Sequence, residues 1–343
     1  SLPGLPDWTV SYGYDANGSL ATRILPSGVE LRYMPDALGL PRQITDQHGR
    51  AFASGIMRSA GGAISSFVYG NGTGSTVASN ERNLPMRITS SPALDIEYDY
   101  DENSNIVKMT EHAGPSIVDR VISYDGVDRL IRVASSSSNL NESFSYDQAD
   151  NLVWSARGEE HERTFYRDQK NRLTNVADEG NSTVIGQSYD LAGNISNKNG
   201  NTHFFDLHNL LRSYAGDNYY GYDALDRRVA KGAASSQAIQ RSMYLSTGEI
   251  AQTSNIRVGT TTSYVALDGK AIASITAHSN GTSEVTFHHL DLIGNPVADT
   301  DSSGAVVHTS FYSAYGISRD NNVSEINFTG HVKDSDTQLI YMQ

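Results

Sequence analysis

One short unit recurs along this chain and constrains its fold more than any single residue does. The unit is an aromatic, an acid, two variable residues, a residue that tolerates positive φ, a polar residue and usually an aliphatic. Copies occupy 14–20, 100–106, 124–130, 146–152, 189–195 and 222–228. They open with Tyr14-Asp15, Tyr100-Asp101, Tyr124-Asp125, Tyr146-Asp147, Tyr189-Asp190 and Tyr222-Asp223. The fifth position holds Gly18, Ser104, Asp128, Asp150, Gly193 or Asp226, mostly types that accept left-handed backbone. A chain written as one repeated element buries its core between neighbouring copies, so its length does not fix a domain count.

Each copy reads as a β-hairpin. In Val121-Ile122-Ser123-Tyr124 and Arg129-Leu130-Ile131-Arg132-Val133, β-formers flank a polar reversal. Asp125 is placed to accept hydrogen bonds from turn amides. Period-two alternation puts Ile122 and Tyr124 on one face, where cross-strand contacts contribute about 0.2 to 1 kcal/mol each. The expected fold is all-β, with consecutive hairpins building a spiralling, shell-like or partly open barrel sheet. The 19 Tyr, 30 Gly and 19% charged residues suit many short strands and turns. Repeat tyrosines are therefore expected to be structural.

The array is irregular in places. The 166–173 segment carries one extra residue and predicts a different turn. Phe205-Asp206 leads a degenerate copy, and weaker copies surround Tyr244 and Tyr264. Residues 30–40 read as a hairpin with Pro35 at its reversal. The Gly, Ser, Thr and Asn content between Ser59 and Asn80 predicts an exposed connection, with 64–69 able to form a strand inside it. The expected organisation is a single repeat domain over 1–343, less regular over 1–95, with a terminal closure segment over 281–343.

A net charge of −13 opposes nonspecific attraction to nucleic acid or an anionic membrane. The chain has no cysteine, which excludes disulfides and thiolate chemistry. No apolar run approaches the roughly 20 residues of a membrane-spanning helix, so direct membrane insertion is not expected. Gly-rich tracts occur without a strand-to-helix phosphate loop. Neither a cofactor nor a metal is implied.

The tightest titratable group is His288-His289-Leu290-Asp291, followed by Gly294. Strand alternation puts His289 and Asp291 on one face and His288 on the other, a pairing suited to orienting an imidazole for proton transfer. With His331 they form the candidate polar site. Glu159-Glu160-His161-Glu162-Arg163 reads as a charged hairpin edge, and His203, Asp206 and His208 lack metal-ligand spacing. No catalytic residue is assigned, and the sequence does not decide whether the protein is an enzyme.

The Tyr-Asp units resemble the Rhs (rearrangement-hotspot) family and its wider tyrosine-aspartate repeat group along the whole chain. The most specific stretches are His288-His289-Leu290-Asp291-Leu292-Ile293-Gly294-Asn295-Pro296 and 328–342, which resemble the end of the repeat core. The resemblance implies a hairpin strip winding into a shell that encloses a C-terminal toxin, or a cell-surface recognition scaffold. Such proteins continue past the equivalent of Gln343 into a self-cleavage motif. Three readings follow: a fragment of a toxin shell, a standalone repeat protein, or a subunit completed by another chain. The partner implied is a polypeptide cargo or another part of a longer shell protein, in a secreted or cell-surface product loaded in the cytoplasm before export. The alternative is an extracellular protein that binds or degrades a polysaccharide in a groove of the sheet.

Overall fold

The computed structural model describes residues 7–114, 116–158, 161–216, 218–233, 238–318, 332–334, 337 and 339–341. Among them are 29 strands whose pairings join neighbours along the chain and run antiparallel, and a separate two-stranded pair, Val332–Lys333 with Ile340–Tyr341. A single 3₁₀ turn, Ser138–Leu140, interrupts the meander among the described residues. The chain is all-β, as the repeat predicts.

The hairpin turn is set by the unit's acid. Between the strands Val118–Tyr124 and Leu130–Ser135, the Asp125 amide donates to the Arg129 carbonyl at 2.9 Å and the Asp128 amide returns to the Asp125 carbonyl at 3.1 Å. Asp125 Oδ1 accepts the amides of Val127 at 3.1 Å and Arg129 at 3.0 Å. Asp128 sits at φ 62°, and the register shifts at Tyr124. This is a three-residue loop, a type I turn closed by a left-handed residue, whose twist matches the strands it joins. Gly18, Ser104, Asp150, Gly193 and Asp226 all have positive φ as well.

Tyrosine hydroxyls tie several hairpins to the one before them. The hydroxyl of Tyr124 donates to the Ile106 carbonyl at 3.0 Å, that of Tyr146 to Leu130 at 2.7 Å, and that of Tyr222 to Leu211 at 2.9 Å. Tyr189 does the same to Leu173. The turn's arginine then covers the next aromatic: Arg129 lies 5.0 Å from the Tyr146 ring centroid and Arg172 4.6 Å from that of Tyr189.

The turn expected to differ at 166–173 does not. Asp168 Oδ1 accepts the amides of Lys170 and Arg172, and Asn171 takes φ 63°, as in the other units. The extra residue lies ahead of the turn, so Arg167 occupies the aromatic's place and its Nη1 donates to the Leu152 carbonyl at 2.9 Å. Tyr264 leads no turn either. It lies inside the strand Thr260–Leu267, and the reversal is the two-residue Asp268-Gly269 turn, both residues at positive φ. The connection expected between Ser59 and Asn80 is two more hairpins. Tight turns closed by Gly62 and Gly72, each at φ 87°, join the strands Ala51–Arg58, Ile64–Tyr69 and Gly74–Ser79. Their glycines serve left-handed turn geometry, not looseness. Pro35 ends the strand Glu30–Pro35, and the turn begins at Asp36.

Contacts divide the chain into two compact units. The first comprises Ser1–Glu97, His112–Pro115 and Ile239–Gln343, the second Tyr98–Glu111 and Ser116–Ala238. In the first unit the early hairpins pack against the late ones. Leu31, Ile44, Phe52, Phe67 and Tyr69 share one apolar cluster with Val265, Ile272, Ile275, Val285 and Phe287. Polar bonds pin the same pairing: Ser27 N donates to Gln252 Oε1 at 2.8 Å, and Arg58 Nη2 to Asp268 Oδ1 at 2.7 Å. In the second unit Val133, Phe144, Val176, Ala177, Tyr220 and Ala230 are buried along successive hairpins.

The turn geometry has a testable consequence. Gly193 has φ 94°, whereas Gly126 lies in its turn at an ordinary φ with nothing within 4 Å of an added Cβ. Gly193→Val is expected to lower stability by about 1 to 2 kcal/mol, and Gly126→Ala to leave it unchanged or raise it by about 0.5 kcal/mol, in urea unfolding followed by circular dichroism.

Candidate functional site

The two adjacent histidines of the strand Ser283–Leu290 enter different environments because successive strand residues face opposite sides. His289 points into the apolar cluster of the first unit and is fully buried. Its Nδ1 meets Ser90 Oγ at 2.8 Å and its Nε2 meets Thr300 Oγ1 at 2.8 Å. The Tyr69 ring stands edge-on to it at 4.7 Å, and the Tyr69 hydroxyl donates to the His288 carbonyl at 2.8 Å. Asn71 Nδ2 also reaches Thr300 Oγ1 at 2.8 Å. Burial pushes the His289 imidazole down to about 4, so it is neutral at physiological pH. His289 therefore works as a polar bolt between the early and late hairpins.

His288 faces the other way, into a polar row that crosses four strands. Register places His288 opposite Asp299 and Asp299 opposite His308. His288 Nδ1 is 2.7 Å from Asp299 Oδ1, and its Nε2 is 3.1 Å from Ser274 Oγ. With Asp299 ionised and His288 a neutral imidazole, Nδ1 donates to Asp299 and Nε2 accepts the Ser274 hydroxyl. His308 Nδ1 lies 3.5 Å from the other carboxylate oxygen. Ser274, His288 and Asp299 are 6%, 4% and 7% exposed. They line a cleft of about 220 Å³ together with Thr262, Tyr264, Thr276 and Thr286.

The family profile described as Teneurin YD-shell matches residues 74–343. The chain belongs to that family. Among solved structures, "Crystal Structure of TcdB2-TccC3" aligns at 17% identity and a TM-score of 0.70, covering 97% of this chain and 20% of that one. "Crystal Structure of TcdB2-TccC3-Cdc42" aligns at 17% identity and 0.71, covering 97% and 19%. "Structure of Photorhabdus luminescens Tc holotoxin pore, Mutation TccC3-D651A" aligns at 15% identity and 0.59, covering 97% and 19%. The fold is the tyrosine-aspartate shell repeat, and the chain spans about a fifth of the length of these structures. No match was found among curated protein sequences.

Of the sequence's candidate polar site, the described residues His289 and Asp291 hydrogen-bond to different partners. Asp291 opens a repeat turn, where its Oδ1 accepts the amides of Ile293 and Asn295 and its Oδ2 accepts Asn295 Nδ2 at 2.7 Å. Burial pushes its carboxyl up, whereas amide and side-chain hydrogen bonds hold the repeat carboxyls of Asp125 and Asp190 down. Both nitrogens of His289 are engaged elsewhere, and His331 lies outside the described residues, as do Glu159 and Glu160. His203 stands edge-on to Tyr214, ring centroids 4.8 Å apart, and Asp206 serves its own turn. Ser274 and Asp299 are the partners that residue spacing alone does not pick out. A signal for Asp299 existed: the Asp291–Asn295 turn fixes the hairpin register and sets residue 299 opposite 288. No three or more His, Asp or Glu side chains form a metal-binding group among the described residues.

The His289 bolt makes stability depend on mild acid. The unfolded chain takes up a proton near the ordinary imidazole value of 6.5, and the folded protein resists it down to about 4. Stability is therefore complete above 6.5 and falls as pH drops through that window, by about 3 kcal/mol in all. The raised Asp291 acts in the opposite sense. Urea unfolding of the wild type is expected to lose stability from pH 7 to about pH 4.5, and His289→Gln, which cannot titrate, to be less stable at pH 7 with a shallower slope.

Proposed function

We propose that this chain is a wall section of an exported shell that holds a polypeptide cargo. The observation that carries the reading is the tyrosine lock: Tyr124, Tyr146, Tyr189 and Tyr222 each bond back to a carbonyl of an earlier hairpin, so that one hairpin templates the next. Such a strip grows by addition and is held by its neighbours, as a container wall requires. Family membership and the fold shared with the TcdB2-TccC3 crystal structures support the same reading. In this proposal residues 1–343 act as one repeat array, 281–343 as its terminal segment, and the product is loaded in the cytoplasm before export.

Intact mass spectrometry of the native gene product tests it, combined with protease protection. The expected result is a product that carries a polypeptide segment resistant to protease while the wall is folded and digested once urea unfolds the wall. A native product that ends at Gln343 and holds no polypeptide overturns the proposal. A polysaccharide panel that yields a smaller sugar product shifts the assignment to the groove-enzyme alternative.

A further inference from the structure

The polar row on the Lys270–His278, Ser283–Leu290 and Pro296–Thr300 strands has an order that wall building does not require. Ser274 Oγ meets His288 Nε2 at 3.1 Å, and His288 Nδ1 meets Asp299 Oδ1 at 2.7 Å. The serine and carboxylate engage opposite nitrogens of one imidazole, the relation that activates a serine nucleophile whatever fold presents it. We infer that Ser274, His288 and Asp299 form an acyl-transfer site that cleaves short-chain carboxylic esters.

Rigid elements hold the three groups. Ser274 pairs with Tyr264 on one side and Thr286 on the other, and His288 is the direct cross-strand partner of Asp299. Burial below a tenth of full exposure keeps competing water from the imidazole–carboxylate bond, and the cleft lies in front of it. At about 220 Å³ that cleft is smaller than the roughly 300 to 1,000 Å³ that drug-sized ligands occupy, which restricts the acyl part to a few carbons. The backbone amides beside Ser274 belong to the ladder, so the developing oxyanion falls to a side-chain donor. In this reading the hydroxyl of Thr286, the cross-strand partner of Ser274 on the cleft wall, takes that role.

The reaction uses water alone as co-reactant. Ser274 Oγ attacks the ester carbonyl while its proton passes to His288 Nε2. The tetrahedral adduct collapses, the carbon–oxygen bond to the alcohol breaks, and the alcohol leaves with the proton from Nε2. Water then gives a proton to Nε2 and its oxygen to the acyl carbon. The carboxylic acid departs, and Ser274 recovers its proton. Asp299 holds the Nδ1–H tautomer throughout and is a positioning residue.

The test is covalent labelling of the purified full chain with diisopropyl fluorophosphate, read by peptide mass mapping, alongside release of p-nitrophenol from p-nitrophenyl acetate. The expected result is a stoichiometric adduct on Ser274 that is lost in urea, with ester turnover abolished by Ser274→Ala. Asp299→Asn is expected to slow labelling by at least about 100-fold and to flatten its rise with pH across the neutral range. Labelling of folded wild type at Ser274 no faster than at its other serines overturns the inference and requires no variant to fold. So does Ser274 labelling that persists undiminished in a folded Asp299→Asn protein.

Discussion

The structure depends on one small interaction, a carboxylate oxygen held against two backbone amides in a tight turn. In each acid-led unit the side chain of the residue after the aromatic accepts from the amide four positions on, and in most of them from the amide two positions on as well. These bonds give the reversal's amides a partner within the turn, each contributing on the order of 1 kcal/mol. The same bonds fix the loop length, and loop length fixes register. Because side chains alternate along a strand, register decides which residues face the core. The unit's fifth residue completes the device by taking the left-handed conformation.

Register then links one hairpin to the next. The aromatic that precedes the acid reaches a carbonyl in the previous hairpin, and the arginine after the turn covers the aromatic that follows. Where the aromatic is missing, as at Arg167, a guanidinium supplies the donor. The turn itself needs no such donor: the copy led by Phe205, whose side chain has none, keeps the same turn through Asp206, whose Oδ1 accepts the amides of His208 and Leu210.

Within the first unit, a strand between two faces does two jobs. The Ser283–Leu290 strand sends Val285, Phe287 and His289 into the cluster shared with the early hairpins, and Thr286 and His288 to the opposite face. The inward histidine is neutral and bolts two layers together; the outward one is oriented by a carboxylate. Two chemically identical neighbours thus differ in role because period-two geometry gives them different surroundings.

The sequence by itself determined the local architecture: the hairpin, its polar acid-held turn, the residues that take left-handed backbone and the all-β class. All of these rest on contacts within a few residues, where composition and spacing act directly. It misjudged 166–173 and Ser59–Asn80, because aligning units by their tyrosines hid Arg167 in the aromatic's place and glycines needed for turns read as slack. The pairing of His289 with Asp291 was inferred from alternation along one strand, but hydrogen-bond partners in a sheet come from adjacent strands and opposing layers. The register of one turn sets Asp299 opposite His288 and that of the preceding hairpin brings Ser274 to it, whereas only the tertiary structure set Ser90 against His289 across 199 residues of chain, because that partner is chosen by layer packing that no local pattern encodes.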